Sequence, residues 1–108
     1  MDEILQEFWI DTQSHIDSIE ECLLHLDKDG GRADLIDDIF RRVHSVKGNA
    51  GVLGLMDIYT YGQEFESFLE GVRERRKAVR EEVDHMFEGL DRLKTLVYAA
   101  KGEAPPAP

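Results

Sequence analysis

The stretch Asp34-Leu35-Ile36-Asp37-Asp38-Ile39-Phe40-Arg41-Arg42-Val43-His44-Ser45-Val46-Lys47-Gly48-Asn49-Ala50-Gly51 decides the architecture. Its apolar positions, Ile36, Ile39 or Phe40, Val43, Val46 and Ala50, recur at three- and four-residue steps with polar residues between them, the spacing of one buried helix face. On a helix, residues at i, i+3 and i+4 are surface neighbours. His44, Lys47 and Gly48 therefore share one strip, and Gly51 at i+7 extends it. That strip carries an imidazole, an ammonium and a position without a side chain. A large partner can reach a ring nitrogen of His44 there, and Lys47 can lie against an anion formed on it. The pattern is that of a histidine presented for phosphoryl transfer.

Outward from this segment, which spans about 33 to 53, the period stays helical. A first segment of about 3 to 28 carries Ile4, Phe8, Ile16, Ile19, Leu23 and Leu26, and Asp29-Gly30-Gly31 breaks it. A third, about 56 to 76, has Ile58, Tyr61 or Gly62, Phe65, Phe68, Leu69 and Val72. The fourth, about 78 to 100, has Val79, Val83, Met86 or Phe87, Leu90, Leu93 and Val97. No strand-like alternation of useful length interrupts them. The expected fold is all-α, an antiparallel four-helix bundle with short connections. Residues 1–101 form its single domain. Residues 102–108, ending in Ala-Pro-Pro-Ala-Pro, read as the Pro/Ala-rich start of an interdomain linker.

Composition narrows the function classes. At 108 residues and 42% apolar content the chain supports one compact core, without the bulk for a deep catalytic cleft. A formal net charge of −10 repels phosphate backbones and anionic lipid headgroups, so nucleic acid and membrane surfaces are poor partners. No signal sequence opens the chain, and no apolar run approaches the roughly 20 residues that span a bilayer, so a cytoplasmic location is expected. The single cysteine, Cys22, falls in the apolar row of the first segment and reads as a small core residue. His15, His25 and His85 have no paired histidine at i+4, and no metal site is expected. No glycine-rich nucleotide loop or cofactor fingerprint occurs, so the piece alone has no means of binding ATP.

Gly48, Gly51 and Gly54 sit three apart, although a glycine inside a helix costs roughly 1 kcal/mol relative to alanine. Two structural explanations stand beside a functional one. The helix can end after Lys47 with Gly48 as its cap, or the glycines can admit a close neighbouring helix. Alternatively, the absent side chain at Gly48 leaves space beside His44 for a docking partner.

The run His44-Ser-Val-Lys47-Gly48-Asn-Ala-Gly51-Val-Leu-Gly54-Leu55, preceded by Ile39-Phe40-Arg41-Arg42-Val43, closely resembles the phosphoacceptor motif of histidine phosphotransfer (HPt) domains. Within that family it is most similar to the amino-terminal domain of chemotaxis-type (CheA-like) histidine kinases, over about residues 4 to 100. The resemblance implies that His44 accepts a phosphoryl group from a separate ATP-binding kinase domain and passes it to an aspartate of a response-regulator receiver. ATP is then a cofactor of that separate domain, and none is expected in this one. Glu66 falls where relatives carry a glutamate bonded to the acceptor ring. Accepting from Nδ1–H, it would fix the tautomer and leave the Nε2 lone pair as the nucleophile. Lys47 matches the family's lysine, which offsets the charge of the phosphoryl group. Gln63 stands where many relatives have a histidine, a departure that removes a titratable group and keeps hydrogen-bonding capacity.

Arg41, Arg42 and Lys47 surround His44 in sequence without an intervening carboxylate, and with Gly48 and Gly51 they are the expected docking residues. Receivers cluster aspartates around their own acceptor, so a local basic surface aids encounter. Arg73, Arg75, Arg76, Lys77 and Arg80 read instead as an ordinary arginine-rich connector. Beginning at Met1 and running into a proline-rich tail, the chain is expected to be the amino-terminal module of a kinase. A freestanding relay protein and a plain helical interaction or dimerisation bundle are the alternatives.

Overall fold

The computed structural model describes residues 3–103, which form four helices: α1 (Glu3–Leu26), α2 (Ala33–Val52), α3 (Met56–Arg75) and α4 (Arg80–Lys101). No strand occurs among the described residues. Of the anticipated linker, Gly102 and Glu103 are described, and residues 104–108 lie outside the described residues. Consecutive helices pack side by side and α4 closes back on α1, whereas the diagonal pairs do not approach. The bundle measures 43 × 29 × 18 Å. No helix among the described residues is long and apolar enough to cross a membrane.

The apolar rows meet along the bundle axis. Ile19, Leu23, Leu26, Ile36, Ile39, Val43, Val46, Ile58, Leu69, Met86 and Leu93 are all but inaccessible. Each large aliphatic side chain so buried contributes about 1.5–3 kcal/mol. The paired options of the sequence resolve as Ile39 over Phe40, Gly62 over Tyr61 and Met86 over Phe87. Two expectations fail at the helix ends. Ile4 is 64% exposed, because the first turn of α1 runs past the end of α2's buried face. Val79 is exposed as the residue capping α4, which starts at Arg80, while Ala78 fills the core position. Thr12, although polar, lies between Phe8 and Ile16 at i±4 and is buried with them.

Gly48 does not cap α2, which continues to Val52. The stop is at Gly54, with φ +74, where Leu55 N–H donates to Ala50 O (2.9 Å) and Gly54 N–H to Gly51 O (3.2 Å). This pair of bonds closes a helix through a left-handed residue that glycine adopts without a Cβ penalty. At the other end of the bundle the two remaining connections are tied together, Ala78 N–H donating to Gly30 O at 2.8 Å. Glu82 starts α4 by accepting from Val79 N–H (3.0 Å) and pairs with Arg75.

The arginine-rich connector is engaged by acids. Asp37 on α2 accepts from Arg73 Nε and Arg76 Nη1, both at 3.0 Å, and Arg80 pairs with Asp27. Those bonds hold the Asp37 carboxyl below its ordinary value of 3.8, first through Arg73, against an opposing effect of burial. A depressed folded-state pKa gives stability that is present above 3.8 and is lost as pH falls through the lower folded value. Asp37→Asn should therefore lower the urea midpoint at pH 7, and the deficit should shrink as pH falls below 3.8.

Candidate functional site

His44 projects from the middle of α2 on the face opposite Val43 and Val46, and its side chain is 61% exposed. Across the α2–α3 seam, Glu66 Oε2 lies 2.9 Å from His44 Nδ1. The same oxygen is 3.0 Å from Lys47 Nζ, one turn further along α2. Lys47 also donates to Gln63 Oε1 at 3.0 Å, and Gln63 Nε2 donates to Ser67 Oγ at 3.3 Å. Gln63 therefore bonds the lysine, and no bond from Gln63 to His44 is present among the described residues. Glu66 is largely enclosed, with its side chain 12% exposed. Burial raises its carboxyl. The hydrogen bonds from His44 and Lys47, together with the lysine's charge, more than offset this and hold it below the usual 4.5. Glu66 is thus an ionised acceptor at neutral pH, and Nδ1 is the ring nitrogen that donates to it. Nε2 has no protein partner among the described residues.

The helix pair can approach this closely because α3 presents Gly62 to α2. A Cβ built there would stand 3.0 Å from Lys47 Cβ, so the lysine stem packs directly against the glycine. The glycines of α2 divide the readings offered by the sequence. A Cβ on Gly51 would meet the Tyr59 ring at 2.8 Å, which is close helix packing. Gly54 is the helix stop. A Cβ on Gly48 would meet nothing within 4 Å. Neither capping nor packing accounts for Gly48, and the space beside His44 is open.

Two further residues join the site that the sequence did not single out. Phe40, one turn before His44, lies nearly parallel to the imidazole, with centroids 6.4 Å apart and planes 9° apart. The Arg73 guanidinium sits 4.6 Å from the Phe40 centroid. Spacing i−4 from His44 marks Phe40 as a strip neighbour; Arg73 comes from another helix, which no spacing rule reveals.

The expected basic group does not assemble as a unit. Arg41 is exposed on the His44 side of α2, 3.6 Å from Asp38. Arg42 turns to α1, with Nη1 3.3 Å from His15 Nδ1 and Nε 3.5 Å from Asp38. A helix advances about 100° per residue, so position 42 lies roughly 160° around from 44, and the arithmetic places Arg42 at the α1 seam. Among the described residues no group of His, Cys, Asp and Glu is arranged to hold a metal ion.

A four-helix bundle built around one presented histidine is the class that the fold and site define. The Hpt domain family matches residues 3–102. The chemotaxis protein CheA of Halobacterium salinarum is 33% identical over 95 residues, 87% of this chain and 14% of that protein. CheA of Bacillus subtilis is 33% identical over 100 residues, 92% of this chain and 15% of that protein. Among solved structures, the CheA phosphotransferase domain from Thermotoga maritima aligns with a TM-score of 0.82 at 25% identity. The alignment covers 94% of this chain and 99% of that one. The chain belongs to the Hpt domain family. It spans about a seventh of the length of these curated relatives.

Open space at Gly48 has a direct energetic consequence. Gly48→Ala should raise the unfolding free energy by about 1 kcal/mol, the helix-propensity difference at an exposed interior position. Gly89→Ala should lower it by about 1 kcal/mol, because its Cβ meets the buried Phe65 ring at 2.8 Å. Urea denaturation of the two variants measures both signs.

Proposed function

We propose that this domain is the phosphoryl carrier of a two-component, chemotaxis-type kinase. His44 accepts a phosphoryl group from ATP held by a separate kinase domain and donates it to an aspartate of a response-regulator receiver. The observation that carries this reading is Glu66 Oε2 at 2.9 Å from Nδ1 of an exposed imidazole. The carboxylate keeps the proton on Nδ1 and the lone pair on Nε2. In the loading step Nε2 attacks the γ-phosphorus, the bond to the β–γ bridging oxygen breaks, and its electron pair leaves with ADP. The ring then carries a positive charge, and Nδ1–H donates to the ionised Glu66, which stabilises it. In the unloading step an aspartate oxygen of the receiver attacks phosphorus, and the N–P electron pair returns to Nε2. No proton needs to leave Nδ1 in either direction.

Lys47 supplies an ammonium within reach of the transferred group, and Gln63 holds that ammonium in place. Gly48 leaves room for whichever partner brings the phosphorus in line. Arg41 flanks the open strip and suits the acidic mouth of a receiver, while Arg42 serves the α1–α2 seam. The domain binds no cofactor of its own in this reading; ATP belongs to the kinase domain. Its place is the cytoplasm, with the nucleotide pool. The much greater length of the CheA relatives supports a module of a longer kinase over a freestanding carrier.

Phosphorylation with ATP and a CheA-type ATP-binding domain tests the assignment. His44→Gln should abolish acid-labile label while helical circular dichroism is retained; label persisting on His15, His25 or His85 would contradict it. Glu66→Ala should slow transfer roughly tenfold to a hundredfold, the worth of one charge-assisted hydrogen bond. Gly48→Trp should fold normally and fail to exchange phosphoryl groups with either partner.

A further inference from the structure

The cations of this chain are unevenly placed. Ten of its thirteen lysines and arginines, Lys28, Arg32, Arg41, Arg42, Lys47, Arg73, Arg75, Arg76, Lys77 and Arg80, lie about His44 and toward the end where α1 finishes and α4 starts; Arg92, Lys94 and Lys101 lie further along α4. α1 contains no lysine or arginine, and none occurs between Gly48 and Val72. The other end of the bundle, where α1 and α3 start and α2 stops, is acidic and apolar on its α1–α2 side. His44 stands at the boundary.

Beyond that boundary lies a groove of about 440 Å³ between the first half of α1 and the end of α2, lined by Ile4, Glu7, Phe8, Asp11, Asn49, Val52 and Leu53. Its lip is apolar and open to solvent. Val52 is 86% exposed and Ile4 64%, and Met56 beside the α2 stop is 54%. Among the described residues, Glu7 and Asp11 are its only charged lining residues. Val52 follows His44 by eight residues, about 12 Å along the helix, with the open Gly48 midway. A partner patch of ordinary size, about 800 Å², therefore covers groove and imidazole together.

The charge of the groove selects between the two partners. A receiver brings aspartates to His44, and Glu7 and Asp11 would repel them; Arg41 and Arg73, at the other end of the strip, would not. A domain that holds ATP against His44 must surround a triphosphate with lysine or arginine, and such a surface complements the groove. We propose that the α1–α2 groove seats the phosphodonor domain, through an apolar side chain entering between Ile4 and Val52 with lysine or arginine facing Glu7 and Asp11. The two partners then share His44 and Gly48 and approach from opposite ends of the strip. This proposal rests on the phosphotransfer reading above.

The test separates the two half-reactions, using a CheA-type ATP-binding domain that labels the unaltered chain and a receiver that unloads it. Val52→Asp and Glu7→Lys change exposed residues, so both variants should fold, and Leu24→Asp, exposed near the opposite end of α1, is the control. Both groove variants should lower kcat/KM for loading at least tenfold, chiefly through KM, and leave unloading to the receiver within twofold; the control should alter neither step. Loading within twofold of the unaltered chain in both variants, or equal losses in loading and unloading, overturns the groove assignment. Failure of the unaltered chain to take label on His44 is a different result, which overturns the phosphotransfer reading and this proposal with it.

Discussion

The stem of Lys47 packs directly against Gly62, where a Cβ would stand 3.0 Å from it, and the proposed chemistry of the domain depends on that fit. It brings α2 and α3 into the tightest seam of the bundle. At that spacing a carboxylate on α3 reaches both a histidine and a lysine on α2 without stretching. A wider seam would leave Glu66 bonded to water and the imidazole free to rotate and exchange tautomers. A buried ion pair costs desolvation unless its remaining valences are met. Here they are met in part, with one Glu66 oxygen shared between two donors and the lysine returning a bond to Gln63. The arrangement is rigid where the ring is oriented and open where it reacts.

Electrostatics follows from the same geometry. An acidic protein would ordinarily repel both an aspartate-lined receiver and the triphosphate of a nucleotide. On the proposed phosphotransfer reading, this chain removes the difficulty by position. Arg73, Arg75, Arg76 and Arg80 gather at one end, where Asp37, Asp27 and Glu82 organise them and where they also tie the two connectors to the helices. The ion pairs there are half-exposed and individually weak. Their greater effect is on the sign of the surface that an approaching molecule meets.

Much of this was legible in the sequence. Helix number, the identity of the buried rows and the His44–Lys47–Gly48 strip all follow from a 3.6-residue period, and a period survives any detail of packing. The contact of Glu66 with His44 came from likeness to a family; spacing alone cannot join residues 44 and 66. The misses have separate causes. Ile4 and Val79 lie in the right rows but at helix ends, where the row outruns its neighbour. Arg42 was grouped with Arg41 by adjacency along the chain, although adjacent residues on a helix face directions 100° apart. Thr12 is absent from the apolar row as a polar residue type, and its position between Phe8 and Ile16 places it inside. Arg73 reaches Phe40 from another helix, and sequence distance carries no information about that. The three glycines looked like one signal and have three explanations, in open space, ring packing and a left-handed stop.

Cys22 is buried between α1 and α2, and its thiol is pushed up to about 11, by burial first and then by donation to Asp38 at 3.3 Å. Thiolate is the reactive form of cysteine. At neutral pH the thiol stays protonated, and it is largely buried. Toward alkylating reagents and disulfide exchange Cys22 is therefore disfavoured relative to an exposed thiol. A single cysteine placed on its surface would be the more reactive thiol, so spectroscopic labels or crosslinkers can be installed beside His44 without first altering the core.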